Sequence, residues 1–135
     1  MNRKQPRFLL VDDQEDLRGI NACRLKMWYP DCVVEPLANG RALAEYTGSA
    51  SVYITDYEMP EMNGLDALIA RRKKGDYTPA LLISGDIDLV HKRKNEIPLN
   101  TYTLSKLSPG TEFRQKLDEI IYKHSGVPAI PSRNL

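Results

Sequence analysis

The sequence predicts an α/β fold: one doubly wound sheet of five parallel strands with helices on both faces. Two observations predict it. Short apolar runs alternate five times with longer stretches of helical periodicity. In addition, 135 residues that are 41% hydrophobic and 27% charged suffice for one globular domain with a sizeable core. Strict strand–helix alternation requires parallel strands joined by right-handed crossovers, and these lay helices on both sheet faces.

The strand candidates are Phe8–Val11, Val33–Leu37, Val52–Thr55, Ala80–Ser84 and Thr101–Leu104. Each is brief, rich in β-branched, aromatic or leucine residues, and bounded by polar or turn residues. The helix candidates are Glu15–Trp28, Gly40–Tyr46, Leu65–Lys74, Ile87–Asn95 and Thr111–His124. The last has the clearest pattern, with Phe113, Leu117, Ile120 and Ile121 on one face and Thr111 as its expected N-cap. The third places Leu65, Leu68 and Ile69 together. Its basic end, Arg71 to Lys74, reads as a solvated run favoured by the negative helix C-terminus. The fourth has the weakest pattern, Leu89 and Val90 beside a polar run, and is expected to be short and relatively mobile.

Residues 1–124 form the expected domain, and residues 125–135, with turn formers and no periodicity, read as a tail or linker. A formal net charge of +1 lacks the basic excess of a nucleic-acid binder. No apolar run approaches the roughly 20 residues that span a bilayer, and the basic N-terminus is followed by Asp12 rather than by a signal-peptide core. Cys23 and Cys32 match neither a metal-ligand spacing nor a disulfide framework. A cytoplasmic protein with two reduced thiols is expected.

Open parallel sheets carry their sites at the carboxyl ends of strands. There the sequence places Asp12 and Asp13, Asp56, Ser84 and Lys106, after the first, third, fourth and fifth strands. Singly, each has an ordinary explanation: a helix cap, a turn residue, a surface lysine. Their coincidence on one rim does not. Two carboxylates 4 Å apart repel by roughly 4 kcal/mol at an effective dielectric near 20, so three of them need a proton or cations. An all-oxygen site with vacant positions suits Mg²⁺, or Mn²⁺ in its place. Lys106 offers a mobile ammonium to Asp56 or to a phosphoryl oxygen, and the Ser84 hydroxyl can donate to another. Gly85 leaves room for the group to enter. The chemistry that fits is attack of a carboxylate on phosphorus.

Four separated segments carry a resemblance: Phe-Leu-Leu-Val-Asp-Asp at 8–13, Ile-Thr-Asp-Tyr-Glu-Met-Pro-Glu-Met-Asn-Gly at 54–64, Leu-Leu-Ile-Ser-Gly at 81–85 and Leu-Ser-Lys at 104–106. In order and spacing they resemble the receiver domain of two-component response regulators, chemotaxis regulators in particular, over about residues 7–124. The resemblance implies a flavodoxin-like strand order 2-1-3-4-5. It implies that Asp56 is the phosphoacceptor, that Asp13 and Asp56 ligate Mg²⁺ directly, that Asp12 acts through a bound water, and that the Glu58 backbone carbonyl completes the set. Ser84 matches the switch hydroxyl and Lys106 the phosphate-pairing lysine. Met59, Pro60 and Gly64 shape the loop after Asp56, with Gly64 in a backbone state that a side chain would hinder. A histidine kinase or histidine phosphotransfer protein would donate the phosphoryl group. A downstream partner would read the result, and the face of the fourth helix, fifth strand and fifth helix would allow a phosphorylation-dependent dimer. No direct nucleic-acid or membrane partner is implied, and the protein would catalyse only its own phosphorylation and dephosphorylation.

The sequence departs from the family pattern in three ways. Leu107 follows Lys106 where proline is usual, so a trans peptide is expected there. Thr103 stands at the usual switch aromatic, while Tyr102 falls on the opposite strand face, so the switch should rely on Ser84, Lys106 and the fourth helix. Glu58 and Asp86 add acidic charge beside the site. Three rival readings remain for comparison. A Mg²⁺-dependent phosphohydrolase also uses an aspartyl nucleophile, but would want a substrate-cap insertion, and none interrupts the alternation. A phosphorylation-independent interaction module would not need both Asp56 and Lys106. A flavodoxin-like cofactor binder would want Ser, Thr and Gly after the first strand, where Asp-Asp-Gln-Glu-Asp repels phosphate.

Overall fold

A computed structural model describes residues 5–125, apart from the side chains of Ile87 and Leu89; the expected tail at 125–135 lies, beyond its first residue, outside the described residues. The strands are β1 (Arg7–Val11), β2 (Val33–Leu37), β3 (Val52–Asp56), β4 (Ala80–Ser84) and β5 (Thr101–Ser105). The helices are α1 (Glu15–Trp28), α2 (Gly40–Ala44), α3 (Gly64–Lys73), α4 (Ile87–Lys92) and α5 (Gly110–Lys123), with a 3-10 turn at Lys94–Glu96. All strands are parallel, in the order β2-β1-β3-β4-β5. This is the expected doubly wound, flavodoxin-like fold.

Successive strand residues point to opposite faces, and each face has its own core. Leu9, Val11, Tyr53, Ala80 and Leu82 pack with Leu43, Leu65 and Leu68 of α2 and α3. Phe8, Leu10, Val52, Ile54 and Leu81 pack with Leu25 of α1 and Phe113, Leu117 and Ile120 of α5. Strands β1, β3 and β4 are thus covered on both sides, which is why they read as continuous apolar runs. Strand β2 lies at an edge and there tolerates Pro36. Cys32 is buried and Cys23 is exposed, and neither is in a disulfide. Among the described residues no helix is long and apolar enough to cross a membrane.

Helix starts are fixed by side chains: Asn39 accepts from the Ala42 N–H at 2.7 Å, Asn63 from the Asp66 N–H at 2.8 Å and Asp86 from the Asp88 N–H at 3.0 Å. Helix α5 differs from expectation, because Pro109 and not Thr111 is its N-cap. The Pro109 carbonyl accepts from Glu112 and Phe113, at 3.0 and 3.2 Å, so the chain turns without a side-chain cap. Helix α2 stops at Ala44, short of Tyr46, whose hydroxyl instead donates to Glu35 at 2.8 Å. Helix α4 is short, and is tied to α3 by Arg93, which donates to Asp66 and Glu96, both at 2.8 Å.

The basic end of α3 corrects the sequence reading. Arg71 and Arg72 are buried, not solvated. Arg71 forks onto Asp76 Oδ2 at 2.8 and 2.7 Å, and its remaining amino group donates to the Tyr46 carbonyl. Arg72 donates to the carbonyls of Leu99, Asp76 and Asn100 at 3.0, 3.0 and 3.2 Å. Those carbonyls lie in the connections entering β4 and β5, where of the three only that of Asn100 also accepts a backbone N–H, from Ala80 at 2.9 Å. A guanidinium with five donors closes such a gap; a solvated lysine does not.

Candidate functional site

The carboxyl ends of β1, β3, β4 and β5 bring the chemistry-bearing residues to one rim. Asp12, Asp13 and Asp56 each present a carboxylate oxygen within 4.8 Å of the others. Asp12 is buried, its Oδ1 accepting from the Gln14 N–H at 2.9 Å, and Asp13 is exposed. Asp56, 4% exposed, is the hub. Lys106 Nζ donates to its Oδ2 at 3.1 Å. The same nitrogen forms an ion pair with Oδ1 at 3.0 Å, yet without hydrogen-bonding geometry, so Oδ1 is buried with no hydrogen bond. A buried carboxylate oxygen left without a donor is costly. An oxygen-only trio with such an orphan fits a hard divalent cation such as Mg²⁺.

Burial pushes the Asp56 carboxyl up to about 6; Lys106 opposes the rise, and Asp12 and Glu58 add to it. Burial works against the Lys106 charge, but Asp56 and its acidic neighbours more than offset this and raise its pKa. The sign for stability follows from Asp56 binding its proton more tightly in the folded state than its ordinary value near 3.9. The contribution of Asp56 to folded-state stability should be fully present below about pH 4 and be lost as pH rises through about 6, by up to about 3 kcal/mol. Melting in EDTA across pH 4–7 checks this. The loss should be absent from Asp56→Asn and reversed by Mg²⁺.

The loop after Asp56 is held tightly. Met59 is buried in the core on the α2–α3 face, and the Met62 N–H returns to the Pro60 carbonyl at 2.8 Å around Glu61, whose φ is +69°. That left-handed residue, unnoticed in the sequence, turns the loop. Gly64 is required by space and not by a positive φ: a Cβ there would lie 2.1 Å from the Asp56 carbonyl. At Gly85 a Cβ would meet only Lys106 Cδ, at 3.5 Å, so room alone does not demand glycine. Position 85 contributes its N–H, which donates to Glu58 Oε1 at 3.3 Å.

Ser84 is buried, and its hydroxyl lies 2.6 Å from Glu58 Oε2 and 2.9 Å from the Asp86 carbonyl, while accepting from the Asp86 N–H at 3.0 Å. It has one hydrogen to give, and the shorter, charged acceptor takes it. The Glu58 side chain was read only as flanking charge. That it turns back onto Ser84 could not be seen from a residue two places along the chain. Thr103 pairs with Leu82 in the sheet. Tyr102 faces α5, its hydroxyl 2.8 Å from His124 Nε2. The Lys106–Leu107 peptide is trans, as expected.

Strand order 2-1-3-4-5, a carboxylate trio at the carboxyl rim and a lysine paired with Asp56 are the features to compare with known proteins. No family model matches the chain. The chain is 28% identical over 127 residues to a chemotaxis protein CheY homolog of Campylobacter jejuni, covering 89% of this chain and 95% of that one. It is 26% identical to the chemotaxis protein CheY4 of Vibrio cholerae, with a TM-score of 0.72, covering 87% and 99% of the two chains. The response regulator TrrA of Thermotoga maritima, solved in complex with Mg²⁺-BeF, is 24% identical with a TM-score of 0.71, covering 85% and 98%. Over most of its length the chain is thus similar to chemotaxis-regulator-like receiver domains.

Proposed function

We propose that this protein is a phosphoacceptor signalling switch, its receiver domain spanning residues 1–124 and residues 125–135 serving as a tail or linker. Asp56 takes a phosphoryl group from the phosphohistidine of a histidine kinase or histidine phosphotransfer protein in the cytoplasm. The observation that supports this reading is the buried Asp56 carboxylate, paired with Lys106, its Oδ1 making no hydrogen bond, and gathered with the carboxylates of Asp12 and Asp13. A cleft of about 320 Å³ lined by Leu17, Ile20, Lys106 and Phe113 gives the buried carboxylate an approach.

In the transfer, a carboxylate oxygen of Asp56 forms a bond to phosphorus as the bond from phosphorus to the donor imidazole nitrogen breaks, and that nitrogen keeps the electron pair. Asp13, Asp56, Asp12 through a water and the Glu58 carbonyl would hold Mg²⁺, which when bound supplies charge neutralisation and orients phosphoryl oxygens. Lys106 pairs with one phosphoryl oxygen and the Ser84 hydroxyl with another. Their new partners bias the β4–α4 connection and α4, with Thr103 too small to serve as an aromatic switch and Tyr102 engaged with His124 on the other face. A downstream protein reads the change, and the α4–β5–α5 face offers a phosphorylation-dependent dimer. The domain catalyses only its own phosphorylation and dephosphorylation.

The chain shares one feature with an aspartyl phosphohydrolase, an acid two residues beyond the nucleophile, but the Glu58 carboxylate is engaged by Ser84 and Gly85. Small phosphoesters should therefore not be turned over. Incubation with acetyl phosphate and Mg²⁺ should add one phosphoryl group by intact mass. Asp13→Ala should lose Mg²⁺ binding by calorimetry, keep its fold, and stay largely unmodified. Unchanged Mg²⁺ affinity in that variant would count against the assigned ligand set, and an inert wild-type protein against the whole reading.

A further inference from the structure

We propose that Glu58 is a latch that occupies the phosphoryl position of its own site and must be displaced for Asp56 to be modified; the inference rests on the phosphoacceptor reading above. An aspartyl phosphate on Asp56 needs donors for its oxygens. The Glu58 carboxylate already takes two of them, accepting from the Ser84 hydroxyl at 2.6 Å and from the Gly85 N–H at 3.3 Å. It also stands 3.9 Å from the Lys106 ammonium, the cation that holds Asp56. A carboxylate bridging two donors beside that lysine is, in charge and in acceptor geometry, a small copy of the group expected there.

The two occupants exclude each other. Ser84 has a single hydrogen, and it cannot serve Glu58 and a phosphoryl oxygen at once. Two anions meeting the same donors also repel. Of the pair, Glu58 is free to leave: its side chain is 38% exposed and can swing into water, whereas Ser84 is 1% exposed and fixed at the end of β4. The unmodified state is therefore held by a contact that phosphorylation breaks. The released Ser84 hydroxyl then turns from Glu58 to the new group, which couples acceptance of the phosphoryl group to rearrangement of the β4–α4 connection.

The test follows phosphorylation by acetyl phosphate and Mg²⁺ with time, by intact mass, in the wild type, Glu58→Gln and Glu58→Ala. A latch predicts the order Ala, then Gln, then Glu, with Ala faster than wild type by roughly ten- to a hundredfold, the factor carried by one charge-assisted hydrogen bond. Gln keeps an acceptor for Ser84 and so keeps part of the latch. Equal rates for Gln and Ala would mean that charge repulsion alone is at work and would overturn the proposal, as would an Ala variant no faster than wild type. A double-mutant cycle separates the contact from its surroundings: in a Ser84→Ala background, removing Glu58 should accelerate the reaction severalfold less. A full gain in that background would also overturn the latch. Failure of the wild type and both Glu58 variants to gain the phosphoryl group would instead refute the underlying reading.

Discussion

Asp56→Asn is expected to remain at its unmodified mass under conditions that phosphorylate the wild type completely. Among the described residues, only Asp56 both joins a trio of carboxylates that could hold a metal and pairs with a lysine. The same substitution should stabilise the metal-free protein at pH 7, because an amide there carries no buried charge to repel Asp12 and Glu58. The two effects are read separately, by mass and by melting in EDTA. A variant that still gains a phosphoryl group of ordinary acyl-phosphate lability places the acceptor elsewhere.

The largest loss of stability should come from Arg71→Ala, far from that chemistry. Removing one partner of a buried ion pair costs roughly 3–5 kcal/mol, because the other charge stays behind unpaired. Here the deletion takes two donors from Asp76 Oδ2, leaving it the Tyr53 hydroxyl, and removes the Arg71 donor from the Tyr46 carbonyl. Arg71→Lys should recover only part of the loss, since an ammonium cannot form the fork onto Asp76. Burial opposes the Asp76 charge, but donors from Thr78, Tyr53 and Arg71 hold its carboxyl well below the usual range. Its contribution is therefore present above about pH 4 and lost below. Denaturant unfolding at pH 7 checks the magnitude. A difference under about 1 kcal/mol would place this pair with the weak surface ones.

The sheet was legible because its inner strands are buried on both faces and must therefore be apolar throughout: Phe8 and Leu10 serve one core, Leu9 and Val11 the other. The convergence of Asp12, Asp13, Asp56, Ser84 and Lys106 was legible for a related reason, since a parallel sheet sends every strand end to the same rim. What escaped were side chains that turn back on backbone distant in sequence. Arg71 and Arg72 have the composition of a solvated helix end, and nothing local tells that their guanidinium groups will reach the carbonyls of Tyr46, Leu99 and Asn100. Glu58 hides in the same way, because charge is a property of the residue and its partner is a property of the fold. Boundaries slipped where backbone carbonyls replaced caps, as at Pro109.

The guanidinium staples have a consequence for how the domain can change over time. They sit where β4 and β5 begin, and the reactive rim where those strands end, with five residues per strand between. At about 3.3 Å per residue this separates the two ends by roughly 15 Å, beyond the range within which substitutions usually couple. Thermal robustness and signalling lifetime are thus heritable as independent traits. A lineage can harden the scaffold for a hotter habitat through one end, while retuning how long a message persists through the other.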